Sequence, residues 1–322
     1  MRVARLRFIV QALFFVLFLY AGLLGMRRLT IAGREPSLPT FSCEYARQKI
    51  VKCYLHDLQT FATRGAADRY VSLIEPTLFF LFFCLLAGRA WCGWACPLGF
   101  LQDCISHVRV ALGFGCVRAG PRARAAFAWT AYAFLGLAVF LSVFIGRPES
   151  RLYPLQGSLT SPYCQICPAR QLLPLVQADA SNFLLYDRFT AATRVMSVLG
   201  MVTVSMFVFG APVMRRFWCR FCAMGILMRL LRINRWSCLG LVKDPKRCTY
   251  CGTCERVCPV DISQVYHERE DRSVRLAACH LCLKCVEGCP EDGVLEARWF
   301  GRKVFRSRFQ YAFEKINRKG KD

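Results

Sequence analysis

The sequence predicts an all-α membrane domain of about four transmembrane helices followed by a small α+β domain, and three observations carry that prediction. Hydrophobic residues make up 55% of the 322, and mean hydropathy is +0.31, above what a soluble domain usually shows. Four apolar stretches, Phe8 to Gly25, Val71 to Gly88, Ala126 to Gly146 and Ala191 to Met214, approach the ~20 residues that cross a bilayer. Beyond them, one four-cysteine run is written twice between residues 248 and 289.

The first stretch follows a short basic segment, Arg2, Arg5 and Arg7. It is expected to stay as a helix, because its apolar core is too long for a cleaved signal and no small-x-small site precedes Met26. The second carries Glu75 and Pro76 near its start. The formal charge is +23, and about half of the 44 basic residues lie from Arg215 onward. That charge sits beside spans and in the C-terminal region, so membrane lipid rather than nucleic acid is the expected partner. An even number of spans puts both termini on one side, and the basic C-terminal region puts that side in the cytoplasm of a bacterial inner membrane. The loop between the first two spans counts the other way, with eight basic residues from Arg27 to Arg69.

The doubled run reads Cys248-x2-Cys251-x2-Cys254-x3-Cys258-Pro259 and Cys279-x2-Cys282-x2-Cys285-x3-Cys289-Pro290. This is the spacing of bacterial two-cluster ferredoxins, in which three thiolates of one run join the fourth of the other. Cys248, Cys251, Cys254 and Cys289 are therefore assigned to one [4Fe–4S] cluster, and Cys279, Cys282, Cys285 and Cys258 to a second. Two zinc sites could use the same x2 spacings, but zinc has no need of the x3-Cys-Pro ending. A protein so equipped carries single electrons.

A second repeat lies at the ends of spans. After the second span stands Arg89-Ala-Trp-Cys92-Gly-Trp-Ala-Cys96-Pro97, and after the fourth Arg216-Phe-Trp-Cys219-Arg-Phe-Cys222-Ala223. Packed side by side, the two halves bring Cys92, Cys96, Cys219 and Cys222 together as candidates for a third cluster; unligated interfacial thiols are the alternative.

With these residues the chain resembles the membrane-bound polyferredoxins of the NapH, NosR and MauN type. The resemblance runs from about Val71 to Pro290 and rests on the two Trp-Cys motifs and the two ferredoxin runs. It implies an iron-sulfur electron-transport subunit passing electrons between a quinol or cytoplasmic donor and a membrane or periplasmic redox partner. The alternative is an assembly or maturation factor that supplies electrons for metal or thiol reduction in a periplasmic metalloenzyme. Cys222 departs from the pattern, at a spacing of two rather than three and followed by Ala223 in place of proline.

The same topology puts Cys43, Cys53, Cys164 and Cys167 in two outer loops, as an outer-face cluster or as disulfides favoured by an oxidising compartment. An outer cluster would lie across ~30 Å of hydrocarbon, a gap that a quinone or a partner's haem would bridge. His56, His107, His267 and His280 all fall outside the spans, so no intrinsic haem is expected. Cys84, Cys104, Cys116 and Cys238 have no ligand spacing. No nucleotide loop, nucleophile triad or paired catalytic carboxylate stands out, so an electron-transfer subunit is expected rather than a stand-alone enzyme. The expected organisation is a membrane domain at 1–236, a ferredoxin domain at 237–296 and a basic aromatic tail at 297–322.

Overall fold

The computed structural model describes most of the chain; residues 1–2, 24, 26–36, 39–42, 47–50, 65–69, 157–158, 181–190, 231–238, 270–272, 275–277 and 310–322 lie outside the described residues. Cys238, the 236/237 boundary and the end of the basic tail fall among these. Helix α1 (Val3–Tyr20) buries Val3, Arg7, Gln11, Phe15 and Phe18, a stripe recurring every three or four residues. Its other face stays apolar in the open, with Leu13 64% exposed, which suits lipid and not water. Two further helices share this character: α6 (Pro121–Gly146) and α9 (Ala191–Val213). With α1 they are long and apolar enough to cross a membrane, while the second stretch forms a helix whose apolar part, Leu73–Ala87, is shorter. That helix, α3 (Tyr70–Ala87), holds Pro76 in its second turn.

Shorter elements fill the space between them. Strands β1 (Ser37–Leu38) and β2 (Lys52–Cys53) pair in parallel, and β2 leads into α2 (Tyr54–Arg64). Each Trp-Cys motif makes a turn followed by a helix. The first forms α4 (Ala90–Trp94) and then α5 (Pro97–Ala111), with Cys96 at the N-cap and Pro97 at the first helical position, where the missing N–H costs nothing. The second forms a 3-10 turn over Trp218–Arg220 and, after α7 (Pro162–Ile166) and α8 (Pro168–Val176) in chain order, α10 (Ala223–Leu230).

The pair α7 and α8 departs from the expected outer loop. Thr203, midway along α9, donates its hydroxyl to the Ile166 carbonyl. At the far end of α8, Tyr20 at the end of α1 donates to the Val176 carbonyl at 2.6 Å. The Cys164–Cys167 turn therefore reaches back between the spans instead of resting on their outer ends. Non-spanning backbone survives at that depth only where protein covers it, and Tyr163, Cys167, Ala169 and Leu173 are all buried.

The C-terminal portion is a four-stranded antiparallel sheet of order β4-β3-β5-β6, from β3 (Leu239–Lys243), β4 (Ser273–Val274), β5 (Leu295–Trp299) and β6 (Arg302–Arg306). Short helices α11 (Thr253–Arg256), α12 (Gln264–His267) and α13 (Lys284–Gly288) pack on it. The segment from Ala297, set apart as a tail in sequence, supplies the end of β5 and the edge strand β6. This portion docks closely on the helices. Trp94 donates its indole N–H to the Leu281 carbonyl (2.9 Å), Trp299 donates to Leu86 (3.1 Å), and the Ala4 amide donates to Glu287 (3.0 Å). Val3 of α1 joins Leu241, Val265 and Leu295 in one buried cluster.

Candidate iron-sulfur sites

Four cavities are ringed by the four cysteine sets that the sequence groups together. Cys248, Cys251, Cys254 and Cys289 line the first, of about 350 Å³ of empty space. Cys258, Cys279, Cys282 and Cys285 line the second, of about 430 Å³, and Cys254 borders it too. Cys92, Cys96, Cys219 and Cys222 line the third, of about 380 Å³. Cys43, Cys53, Cys164 and Cys167 line the fourth, of about 330 Å³. Among the described residues, no three His, Cys, Asp or Glu side chains close around a single metal ion, and none of the described cysteines is in a disulfide. Thiols standing round a cavity suit a cluster with four iron corners; a lone zinc with bonds of about 2.3 Å would draw them to one point.

The ferredoxin loops are built alike. Tyr250 and Leu281 occupy the same place in the two runs, as do Gly252 and Leu283, and all four have left-handed backbone (φ 54°, 47°, 71° and 58°). Non-glycine residues adopt that conformation at a cost, and here it curls each loop so that amides face inward in an anion-binding nest. The Leu281 amide donates to Cys279 Sγ and the Ile262 amide to Cys258 Sγ, each at 3.3 Å. Burial pushes the Cys279 thiol up to about 12 and the Cys258 thiol up to about 11, so ionising them takes the binding of a metal centre.

The third cavity is quasi-symmetric. Arg216, three residues before Cys219, crosses to the first motif and donates to the Cys92 carbonyl at 2.6 Å. There a Cβ on Gly99 would stand 2.5 Å from its Nη1. Arg89, three residues before Cys92, crosses the other way, and a Cβ on Gly225 would stand 3.0 Å from its Nη2. The glycines of Pro97-Leu-Gly99 and Ala223-Met-Gly225 thus make room for the arginines of the opposite copy. Gln102 holds the second motif, accepting from the Trp218 amide (2.9 Å) and donating to Cys219 Sγ (3.5 Å), and the Gly225 amide donates to Cys222 Sγ (3.3 Å). Cys222 therefore faces the cavity with the other three cysteines despite its shortened spacing.

A buried ion network anchors this arrangement. Asp103 accepts from Arg216 Nε (3.1 Å) and Gln11 (3.0 Å) and pairs with Arg7 (3.2 Å). Burial pushes the Asp103 carboxyl up, but Arg216 and then Arg7 outweigh it and hold the group well below the usual carboxylate range. Arg216 is 1% exposed and itself has left-handed backbone (φ 51°).

The first three cavities adjoin one another. Cys254 borders the first and second. His280 borders the second and third, and its Nε2 meets Arg89 Nη2 at 3.1 Å. An arginine only donates, so Nε2 accepts and, in the neutral ring, Nδ1 carries the proton. Burial and then Arg89 push the His280 pKa well down, keeping the ring neutral, and Nδ1 is buried with no hydrogen-bond partner among the described residues. Between the third and fourth, Tyr163, which precedes Cys164, accepts through its hydroxyl from the Ala223 amide, next to Cys222, at 3.4 Å. The sequence reading set the fourth group across the hydrocarbon from the Trp-Cys turns; the inward turn of α7 and α8 removes that gap. Sequence reasoning left unassigned Tyr163, Asp103, Arg89 and Arg216. The two arginines had a signal, since both copies of the repeat carry arginine three residues before the first cysteine.

A family described as "4Fe-4S binding domain" matches residues 72–115 and 196–237, and one described as "4Fe-4S dicluster domain" matches 240–290. The first of these covers both Trp-Cys motifs. Among curated proteins, the putative electron transport protein YccM of Escherichia coli is 25% identical over 67% of this chain and 53% of its own length. The ferredoxin-type protein NapH of Haemophilus influenzae is 23% identical over 72% of this chain and 70% of its own. The methylamine utilization ferredoxin-type protein MauN of Methylorubrum extorquens is 24% identical over 62% and 58%. The chain thus spans about half the length of the Escherichia coli relative. No solved structure matches. Fold and matches define a chain with 4Fe-4S-binding regions and helices long and apolar enough to cross a membrane. More narrowly, the chain is similar to ferredoxin-type proteins of the NapH and MauN type.

Proposed function

We propose that the chain is a membrane wire of four [4Fe–4S] clusters that passes single electrons between a quinol or cytoplasmic donor and a redox partner in the membrane or beyond it. The ligands are the four cysteine sets lining the four cavities, with the ferredoxin runs crossed as their spacing implies. One observation carries the reading: the first three cavities share the lining residues Cys254 and then His280, and Tyr163 on the fourth hydrogen-bonds the Ala223 amide beside Cys222 of the third. In this reading α3 joins the three longer helices as a fourth span and the ferredoxin portion, at residues 239–306, lies in the cytoplasm. The buried setting of Cys167 and Cys53 favours a cluster over an exposed redox dithiol at the fourth site.

The residues between cavities have separate work. Arg89 fixes the tautomer of His280, leaving Nδ1–H to donate toward cluster sulfur, and hydrogen bonds to sulfur favour the reduced cluster. A bond stronger by about 1 kcal/mol in the reduced state is worth about 40 mV for one electron. His280→Leu is therefore expected to make one midpoint potential more negative by roughly that amount, with iron content unchanged. Redox titration followed by EPR reads this, and unchanged potentials would remove the hydrogen bond from the account.

The wire is tested with the purified, loaded chain in liposomes that trap ferricyanide, with dithionite supplied outside. Ferricyanide should be consumed in proportion to protein inserted with its ferredoxin portion outward. Consumption no faster than in empty liposomes would rule out passage across the bilayer.

A further inference from the structure

A fifth cavity, larger than the other four, lies where the ferredoxin portion meets the helices. It holds about 950 Å³ of empty space, part of it open to solvent, and no cysteine set surrounds it. Its charged lining is four guanidiniums, Arg89, Arg124, Arg220 and Arg229, against one carboxylate, Asp261. That carboxylate is already committed: it accepts from Arg220 (2.8 Å) and the Ala119 amide (3.0 Å) and lies 3.5 Å from Arg118. Arg220 has a side chain only 6% exposed, and its Nε is buried with no hydrogen-bond partner among the described residues. Arg229 rests against the Tyr132 ring, 5.9 Å from its centroid.

Guanidinium groups gathered in such excess, with Arg220 almost wholly withdrawn from water, favour an anion among them. Guanidinium groups present paired donors that match the oxygens of phosphate. The position narrows the choice further. Arg124 stands in the first turn of the span α6, followed closely by Phe127 and by Trp129, which is 74% exposed, as aromatic residues at a membrane–water boundary are. The cavity thus opens at headgroup level, where basic pockets between spans take acidic lipid headgroups.

We propose that this cavity binds a phosphate-bearing anion, held by Arg124, Arg220 and Arg229, which clamps the 260–264 loop of the ferredoxin portion to the start of α6. The clamp adds to the direct bonds already there, from Arg124 to the Asp261 carbonyl and to Ser263 (3.3 Å). It stands whether or not the wire reading holds, because none of these three arginines belongs to a cysteine cavity of that reading.

The full-length loaded chain in non-ionic detergent is incubated with equimolar phosphatidylglycerol and phosphatidylcholine and examined by native mass spectrometry. In a parallel arm, lipid-free protein is titrated with inorganic phosphate and pyrophosphate while its Tm is followed. The expected result is one phosphatidylglycerol retained per chain in preference to phosphatidylcholine. Retention should fall about tenfold or more in Arg124→Gln/Arg229→Gln, as loss of charge-assisted hydrogen bonds implies. Stabilisation by pyrophosphate or phosphate without lipid preference would assign the same site to a soluble phosphate compound. Should the double variant lose iron, Arg229→Gln alone serves, and the wild-type preference is read without any variant. No preference for the acidic lipid together with no response to either phosphate would overturn the proposal, as would undiminished binding by an iron-replete variant.

Discussion

Cys219→Ser is expected to lower the iron content of the purified chain from about 16 to about 12 atoms and to stop electron flow into the fourth cysteine site. Cys219 stands on the third cavity, the step between the ferredoxin portion and the helices, and Gln102 and the Trp218 amide hold its turn in place. The variant should keep the EPR signals of the two ferredoxin centres and still be reduced quickly by dithionite supplied on the ferredoxin side. The trapped ferricyanide of the liposome assay should then be consumed no faster than in empty vesicles. This pairing matters because general misfolding would remove all signals together. Iron unchanged in Cys219→Ser would take the third cluster out of the scheme.

The second large effect concerns the ion network beneath that site. Asp103→Asn removes the carboxylate that compensates Arg216 and Arg7, both almost wholly buried. Breaking one side of a buried pair costs about 3–5 kcal/mol, so a fall in Tm on the order of 10 °C is expected for the loaded chain. Loss of iron from the third cavity first should accompany it, since Arg216 also holds the Cys92 carbonyl. The pH dependence follows from the direction of the shift. The folded pKa of Asp103 is depressed, so its contribution is complete above the ordinary carboxylate value of about 4 and is lost as pH falls through the lower folded value. The wild type should therefore lose this increment only in strong acid, and the variant should lack it at every pH. Equal Tm values at neutral pH would deny the network a structural role.

Much of this was legible because cysteine spacing constrains position so tightly. Two runs of x2, x2, x3 and proline fix loops of one shape, and the left-handed Tyr250 and Leu281 at matching places are the backbone consequence. The Trp-Cys repeat was legible as a duplication, and the crossed arginines and facing glycines are what a duplication yields when its halves pack face to face. The path of 147–190 was not legible. Hydropathy marks spans of about 20 residues, and two short helices that turn inward carry no such signal; their polar backbone is satisfied by neighbours such as Thr203 that lie far away in sequence. The chain from Ala297 was misjudged for a similar reason. Its basic and aromatic residues look like a surface tail, yet Ala297 pairs with Leu241 in the sheet and is fully buried. Asp103 was missed because a single acid on an amphipathic helix gives no hint of its partners until α1 and the second motif close over it.

The measurement that bears most directly on the wire is iron and acid-labile sulfide per chain on anaerobically purified protein, with EPR of the reduced sample. Four clusters predict about 16 of each, with spin coupling between neighbours broadening the signals. A value near 8, with the spectrum of an isolated two-cluster ferredoxin, would contradict the account, leaving the third and fourth cysteine sets as thiols and the chain without a path beyond its ferredoxin portion.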